Sequence, residues 1–287
     1  MLRAATDADR DAVLALGVAE EAAWFGEPET SADEVGEWID DEGGVAAGVV
    51  AVDAGRVRGF ASPGRREAVF LADPARTDAL AGELLPWLRV QREAVELMTY
   101  AGDAARVAAF ERHGLRHTRS SFWMVRPESA GPLPAAVFPA GVEVAPYRLG
   151  ENDGAVHRMI YADAAWASVP GHADRDLDSW RQKERPCRSL FLARRDVRPV
   201  GWVSGRVLSS GRGYISTLAV AERERRRGLG RALLLHAFAD LQPAGARGFA
   251  LGVEAHNEGA LGLYRSVGLE VEREWRIYAT PPIAPLT

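Results

Sequence analysis

Four arginines and two glycines stand together in the C-terminal half of the chain, in the segment Arg225–Arg231, which reads RRRGLGR. The apolar run Leu218–Val220 lies shortly before the segment, and apolar residues at helical spacing follow it. The segment is therefore predicted to join a strand to the start of a helix. The first N–H groups of a helix have no backbone partners and lie at the positive end of its dipole, so anions bind there. We predict that the backbone from Arg226 to Arg231, which we call the cradle, holds a phosphate group.

The two glycines of the cradle support this prediction. Gly228 and Gly230 would let the backbone approach a phosphate closely and take up unusual φ angles. The pattern is not a Walker loop, because no Gly-Lys-Ser/Thr follows, and it is not a dinucleotide fingerprint, because Leu233 stands at the third glycine position. The alternative is a solvated or nucleic-acid-binding arginine face over residues 223–231.

A second group of candidate residues follows the predicted strand Phe249–Glu254. Asn257 is a suitable N-cap for a helix predicted over Glu258–Val267, and Gly268 is a suitable stop. Tyr264 of this helix carries a hydroxyl that can move a proton. The alternative for Tyr264 is an ordinary aromatic residue of the core.

These two groups resemble the signatures of the GCN5-related N-acetyltransferases. The first signature, Arg/Gln-x-x-Gly-x-Gly/Ala between a strand and a helix, is met by Arg225–Gly230. The second, an Asn followed seven residues later by Tyr and then by Gly-Phe, is met by Asn257, Tyr264 and Gly268, with Leu269 in place of Phe. The resemblance covers essentially the whole C-terminal half.

The resemblance implies acetyl-CoA as co-substrate, with its pyrophosphate on the cradle and its pantetheine arm along the preceding strand, and it implies no metal. Tyr264 would protonate the departing thiolate. The implied cofactor-binding residues are Leu218, Ala219, Val220, Arg225, Arg226, Arg227, Gly228, Leu229, Gly230, Arg231, Asn257 and Tyr264.

The proton acceptor for the amine is where the sequence departs from this family. Many members carry a glutamate at the start of the strand before the cradle, and Tyr214 stands there in this chain. Glu254, near the end of the neighbouring strand, is the nearest alternative carboxylate, and we expect it to act through water.

The chain repeats itself weakly, which indicates a duplicated domain. The segment RGFAS at 58–62 parallels VGWVS at 200–204, and FERHGL at 110–115 parallels YRSVGL at 264–269. A proline-rich stretch lies between the halves. We expect a degenerate domain at 1–127, a linker at 128–140 and a catalytic domain at 141–287, in the tandem arrangement of mycothiol synthases.

The N-terminal copy lacks the features of the site. The place of its cradle, Leu71–Asp78, has no glycine pair, and Asp73 and Asp78 would repel pyrophosphate. Phe110 stands where the other half has Tyr264, and phenylalanine cannot donate a proton. This half is expected to have lost catalysis.

An α/β fold, with a mixed sheet and helices on both faces, is predicted for the C-terminal half. Its predicted strands are Val142–Ala145, Leu190–Ala193, Pro199–Leu208, Tyr214–Val220, Phe249–Glu254 and Glu270–Tyr278. Its predicted helices are Asn152–Ala167, Leu177–Lys183, a helix starting at Arg231, and Glu258–Val267.

The acceptor is expected along Glu151–Glu184. This segment has seven acidic residues against four basic ones and contains three aromatic residues, which are Tyr161, Trp166 and Trp180. Such a wall suits a small cationic amine with a ring to stack, and a solvated helix face is the alternative.

Composition restricts the partners. The net charge is −5, with 14 basic and 23 acidic residues in 1–130 and 21 basic and 17 acidic residues in the remainder. This balance argues against nucleic acid as the main partner, and no apolar run is long enough to span a membrane. The single cysteine, Cys187, suits a reducing cytoplasm. The sequence does not decide between a monomer and a homodimer. A catalytically idle acyl-CoA-binding module is the alternative to an enzyme.

Overall fold

The structure is a computed structural model that describes residues 1–65, 67–163 and 174–281. It divides into two compact units. Unit 1 comprises Met1–Phe122 and Arg273–Thr287, and unit 2 comprises Trp123–Glu272. Most of the last strand, from Arg273 on, therefore belongs to unit 1. The sequence-based boundaries at 127 and 141 mark where the duplicated halves end and begin. These boundaries stay a proposal.

Unit 1 has a four-stranded antiparallel sheet in the order β1-β2-β3-β4. The strands of this sheet are β1 Leu2–Ala4, β2 Val49–Asp53, β3 Arg56–Ser62 and β4 Val69–Ala72, and unit 1 also contains β5 Glu96–Tyr100. Its helices are α1 Arg10–Phe25, α2 Ala32–Asp41, α3 Thr77–Gln91 and α4 Ala104–Arg112. β6 (Arg116–Arg126) begins in unit 1 and ends in unit 2. β5 pairs antiparallel with residues 275–279 of the last strand, β12 (Glu270–Ala279).

Unit 2 has a mixed sheet that runs in the order β7-β8-β9-β10-β11. Its pairs are antiparallel except for β10 with β11, which are parallel. The strands are β7 Glu143–Pro146, β8 Ser189–Arg195, β9 Arg198–Val207, β10 Gly213–Val220 and β11 Phe249–Glu254. The helices are α5 Asp153–Arg158, α6 Leu177–Glu184, α7 Leu229–Leu241 and α8 Glu258–Arg265.

Helices cover both faces of this sheet. Neighbouring residues of a strand point to opposite faces. In β9, a Cβ on Gly201 would meet Leu233 of α7 at 2.7 Å, whereas the next residue, Trp202, packs against Trp180 of α6 with ring centroids 5.6 Å apart. The predicted α/β class with a mixed sheet is confirmed. Within the described ranges, no helix is both long and apolar enough to cross a membrane.

The predicted helix Asn152–Ala167 departs from regular α geometry. α5 ends at Arg158 and continues as a π-helical turn over Met159–Asp163. Such wide turns are rare and occur frequently at functional sites. The predicted continuation to Ala167, together with Trp166, lies outside the described residues.

Candidate active site

The two central strands of unit 2 separate halfway along their length. β10 and β11 pair through three residue pairs, of which the last joins Ile215 to Leu251. A bulge shifts the register of β10 against β9 between Ile215 and Thr217, and a bulge bends the strand that carries it. β10 goes on pairing with β9 to its end. We call the gap between residues 216–220 of β10 and 252–254 of β11 the slot.

The bulge also changes which side chains face which helices. In a regular strand Ile215 and Thr217 would share a face. A Cβ on Gly205 would meet the side chains of Ile215 and Leu241 at 3.3 and 3.1 Å, which places Ile215 on the α7 side. Thr217 instead donates its hydroxyl hydrogen to Glu184 of α6 at 2.8 Å. The bulge therefore presents a polar side chain on the α6 side of the slot.

The cradle has the backbone geometry of an anion site. Arg226 has a φ of +60° and Gly228 a φ of +84°, so left-handed residues interrupt the turn. Such alternation points successive N–H groups into one concavity. The helix begins at Leu229, two residues earlier than predicted, and Ala232 donates to the carbonyl of Gly228 at 3.0 Å. The N–H groups from Leu229 to Arg231 precede that first intrahelical bond.

The two glycines of the cradle have different roles. A Cβ on Gly228 would meet no heavy atom within 4 Å, so its φ is what favours glycine there. Gly230 has no positive φ, contrary to the expectation. A Cβ on Gly230 would lie 3.3 Å from Leu263 and 3.5 Å from Val220, so glycine lets α7 pack closely against α8 and β10.

The turn that carries the cradle is anchored by a buried carboxylate. Glu224, which is 4% exposed, accepts hydrogen bonds from Arg195 at 2.9 and 3.0 Å and has Arg227 at 3.7 Å. The hydrogen bonds from Arg195 lower the pKa of Glu224 below its usual range. The arginines at 225–227 are exposed around the turn, and Arg225 donates to the carbonyl of Val220 at 3.3 Å. The cradle therefore combines a fixed backbone with exposed positive charge.

The second group of candidate residues lies at the start and the end of α8. Asn257 is its N-cap, as predicted, and its side-chain oxygen accepts from the N–H of Ala260 at 3.1 Å. Tyr264 lies in the last turn and is 9% exposed. Burial, with a smaller contribution from Tyr214, raises the pKa of Tyr264 to about 12. Tyr264 therefore keeps its proton at neutral pH.

Glu254 is the sequence candidate for the proton acceptor, and Tyr214 stands where many members of the family carry a glutamate. Tyr214 lies in β10 opposite Arg206 of β9, and its ring stacks on Trp123 at 5.4 Å with 15° between the planes. Burial raises the pKa of Tyr214, so it is a poor base. Glu254 is the last residue of β11 and is half-buried. It keeps its place as a candidate at the slot.

The acidic residues of the predicted acceptor wall have mostly structural partners. Asp153 is buried and accepts hydrogen bonds from Tyr147 at 2.8 Å and Arg181 at 2.6 Å. Asp176 caps α6 through the N–H of Ser179 at 2.8 Å. Trp166 and the side chain of Asp163 lie outside the described residues. In the described part of this segment, fewer carboxylates are therefore available to a cationic acceptor than the composition indicates.

Sequence reasoning did not single out Glu184 and Gly252. Glu184 was one of seven acidic residues in its segment, and only the fold brings it to the bulge. Gly252 follows the last paired residue of β11, and a Cβ there would meet no heavy atom within 4 Å. A glycine inside a strand is a signal for close approach of a ligand or another backbone.

In unit 1, carboxylates of the protein itself bond to the backbone where unit 2 has the end of β10 and the cradle. The N–H of Ala72, the last residue of β4, donates to Glu20 at 2.6 Å. The N–H of Ala75 donates to Asp73 at 3.1 Å. Phe110 is fully buried against Phe70, with ring centroids 5.4 Å apart. These contacts agree with a degenerate N-terminal domain.

The comparisons with known proteins agree with this geometry. The sequence profile of the acetyltransferase (GNAT) family matches residues 157–269, which include the bulged strand, the cradle and Tyr264. A tandem GNAT protein from the clavulanic acid biosynthesis pathway, solved without AcCoA, superposes with a TM-score of 0.72. It is 16% identical, and the match covers 100% of both chains. The fold is thus that of tandem GNAT proteins, and the part of the chain that carries the cradle and Tyr264 matches the acetyltransferase (GNAT) family.

Two curated relatives are mycothiol acetyltransferases. That of Thermomonospora curvata is 29% identical over 194 residues, which are 63% of this chain and 62% of the relative. The chain therefore spans less than two thirds of that relative's length. That of Rhodococcus jostii (strain RHA1) is 29% identical over 245 residues, which are 77% of this chain and 79% of the relative.

Proposed function

We propose that this protein transfers an acetyl group from acetyl-CoA to a primary amine of a small molecule. The observation that carries the proposal is the slot that opens at the bulge of β10, with the cradle at the end of the same strand. The open edge of β10 at Leu218, Ala219 and Val220 offers backbone groups to an extended pantetheine arm, as a sheet edge does to an added strand. The cradle offers N–H groups and positive charge to the pyrophosphate.

In this proposal Tyr264 is the general acid. The amine attacks the thioester carbonyl, the C–S bond breaks, and the hydroxyl of Tyr264 gives its proton to the thiolate. Tyr264 keeps its proton at neutral pH, so this proton is available when the thiolate forms. Asn257 orients the start of α8 beside the cofactor. Glu254 is the sequence-based candidate for accepting the amine's proton through water.

The relatives indicate only the chemical class of the acceptor. The two relatives are named for a small-molecule acceptor, and we carry that class to this chain. A cationic character of the acceptor stays a prediction from composition. The same proposal includes action in the cytoplasm, as a monomer or a homodimer. It includes no metal, nucleic acid or membrane as a partner.

The test is the release of free CoA thiol from acetyl-CoA across a panel of small primary amines. At least one amine is expected to raise thiol release well above the rate without acceptor, and mass spectrometry of that reaction should show an added acetyl group. The Tyr264→Phe variant, which keeps the ring, is the control for chemistry at the slot. Tight binding of acetyl-CoA without thiol release on any amine would favour the idle acyl-CoA-binding module instead.

A further inference from the structure

A buried carboxylate at the bulge lacks a full set of partners. Glu184 is the last residue of α6, and its side chain is 0% exposed. The hydroxyl of Thr217 donates to its Oε1 at 2.8 Å. No group among the described residues hydrogen-bonds to its Oε2. An unsatisfied buried charged oxygen is costly, and such an atom in a native fold requires an explanation such as a bound donor.

The oxygen that is bonded is held firmly in place. Lys183, the only lysine of the chain, donates to the hydroxyl of Thr217 at 3.0 Å and to the carbonyl of Ser216 at 3.2 Å. Ser216 lies within the register shift where β10 leaves β11. Lys183 and Glu184 therefore fasten the end of α6 to the bulge, and the remaining carboxylate oxygen is fixed beside the slot.

Electrostatics places this carboxylate near the tyrosines of the slot. Burial raises the pKa of Tyr214, and Glu184 adds to that effect. Tyr214 in turn contributes to the raised pKa of Tyr264. Glu184 thus acts on Tyr214, and Tyr214 acts on Tyr264. Among the residues that the structure describes, the other titratable or charged groups that act on this region are Lys183 of α6, Cys187 after it, Arg175 before it and Arg206 of β9.

We propose that Glu184, in place of the sequence-based candidate Glu254, accepts the proton of the amine in the acetyl transfer, an inference that rests on the proposed function. The acceptor's ammonium donates a hydrogen bond to Oε2 and passes one proton to it. The neutral amine forms the C–N bond, the C–S bond breaks, and Tyr264 protonates the thiolate. The second amine proton restores Tyr264, and Glu184 releases its proton to solvent, so one proton leaves per turnover.

The Glu184→Gln variant tests this role, and Glu254→Gln tests the competing candidate for the proton acceptor in the same assay. We expect Glu184→Gln to lower kcat/KM for the amine by about 10²–10⁴-fold near pH 7. The defect should shrink as the pH approaches the amine's own pKa, because solution then supplies the neutral amine. The dissociation constant for acetyl-CoA should stay unchanged, and Glu254→Gln should show no such pH dependence.

Three results would overturn the inference: a defect of equal size at every pH, wild-type kinetics in Glu184→Gln, or a pH-dependent defect in Glu254→Gln alone. If Glu184→Gln does not fold, Glu184→Asp keeps the charge with a shorter reach, and its loss should also shrink at high pH. A wild-type protein that releases no thiol with any amine would refute the proposed function itself. A wild-type protein that is active, with Glu184 dispensable, refutes only the assignment of Glu184.

Discussion

Replacing Gly228 by aspartate should separate anion binding from backbone strain at the cradle. The left-handed φ of +84° costs a residue with a side chain about 1–2 kcal/mol, and a Cβ there has open space around it. Two unit charges about 5 Å apart repel each other by about 3 kcal/mol at an effective dielectric constant of about 20, and we take this value for a carboxylate at position 228 beside a bound phosphate. That repulsion corresponds to about a hundredfold loss of acetyl-CoA affinity.

Gly245 provides the matched control for this substitution. It lies just past the other end of α7, has a φ of +101°, and a Cβ there would also meet nothing within 4 Å. Isothermal titration of full-length Gly228→Asp and Gly245→Asp with acetyl-CoA, with thermal unfolding of both, gives the comparison. Both should lose similar stability, whereas only Gly228→Asp should lose affinity. Equal affinity for the two variants would refute the cradle as the pyrophosphate site.

Three further predictions follow from the same geometry. Tyr264→Phe should lower kcat by about 10²-fold, which is the low end for general acid catalysis, because CoA thiolate leaves readily. The dissociation constant for acetyl-CoA should stay the same. A variant with wild-type kcat would remove Tyr264 from the mechanism. Calorimetric titration should give one acetyl-CoA site per chain, and Ala75→Asp in unit 1 should not weaken it; two equivalent sites would contradict the degenerate reading of unit 1. Arg195 lowers the pKa of Glu224 in the folded state. The pair therefore stabilises the protein fully at a pH above the pKa that Glu224 has in the unfolded state. This stabilisation is lost as the pH falls through the pKa that Glu224 has in the folded state. Glu224→Gln should therefore lower Tm at pH 7 but match the wild type in strong acid, and an equal Tm at pH 7 would exclude an anchoring role.

Local patterns predicted the elements of the site well. The strand Phe249–Glu254 has the predicted bounds, and Asn257 caps its helix as expected. These features depend on neighbours in sequence, such as a capping side chain before a helical pattern or glycine after it. The conformation of Gly228 follows from the same local logic, since a turn into α7 requires a left-handed residue.

Features that depend on tertiary contacts were not predicted. Apolar alternation in β10 gives no sign of the bulge at Ser216, and only the register against β9 shows it. The anchoring of Glu224 by Arg195 joins residues 29 positions apart. Glu184 and Thr217 meet across 33 positions. Charge counts treated the acidic residues of Glu151–Glu184 as equivalent, although the fold gives Asp153, Asp176 and Glu184 different partners.

The division of the two units has a consequence for the order in which the protein can fold during synthesis. The edge strand β5 of unit 1 pairs with residues 275–279, which lie 175 to 183 positions later in the chain. Long-range pairing of this kind delays folding, because the intervening chain has to be made first. Unit 1 begins at the N-terminus but cannot be completed until β12 has left the ribosome. Its unpaired edge is therefore exposed during synthesis, which is the state in which strands pair with wrong partners.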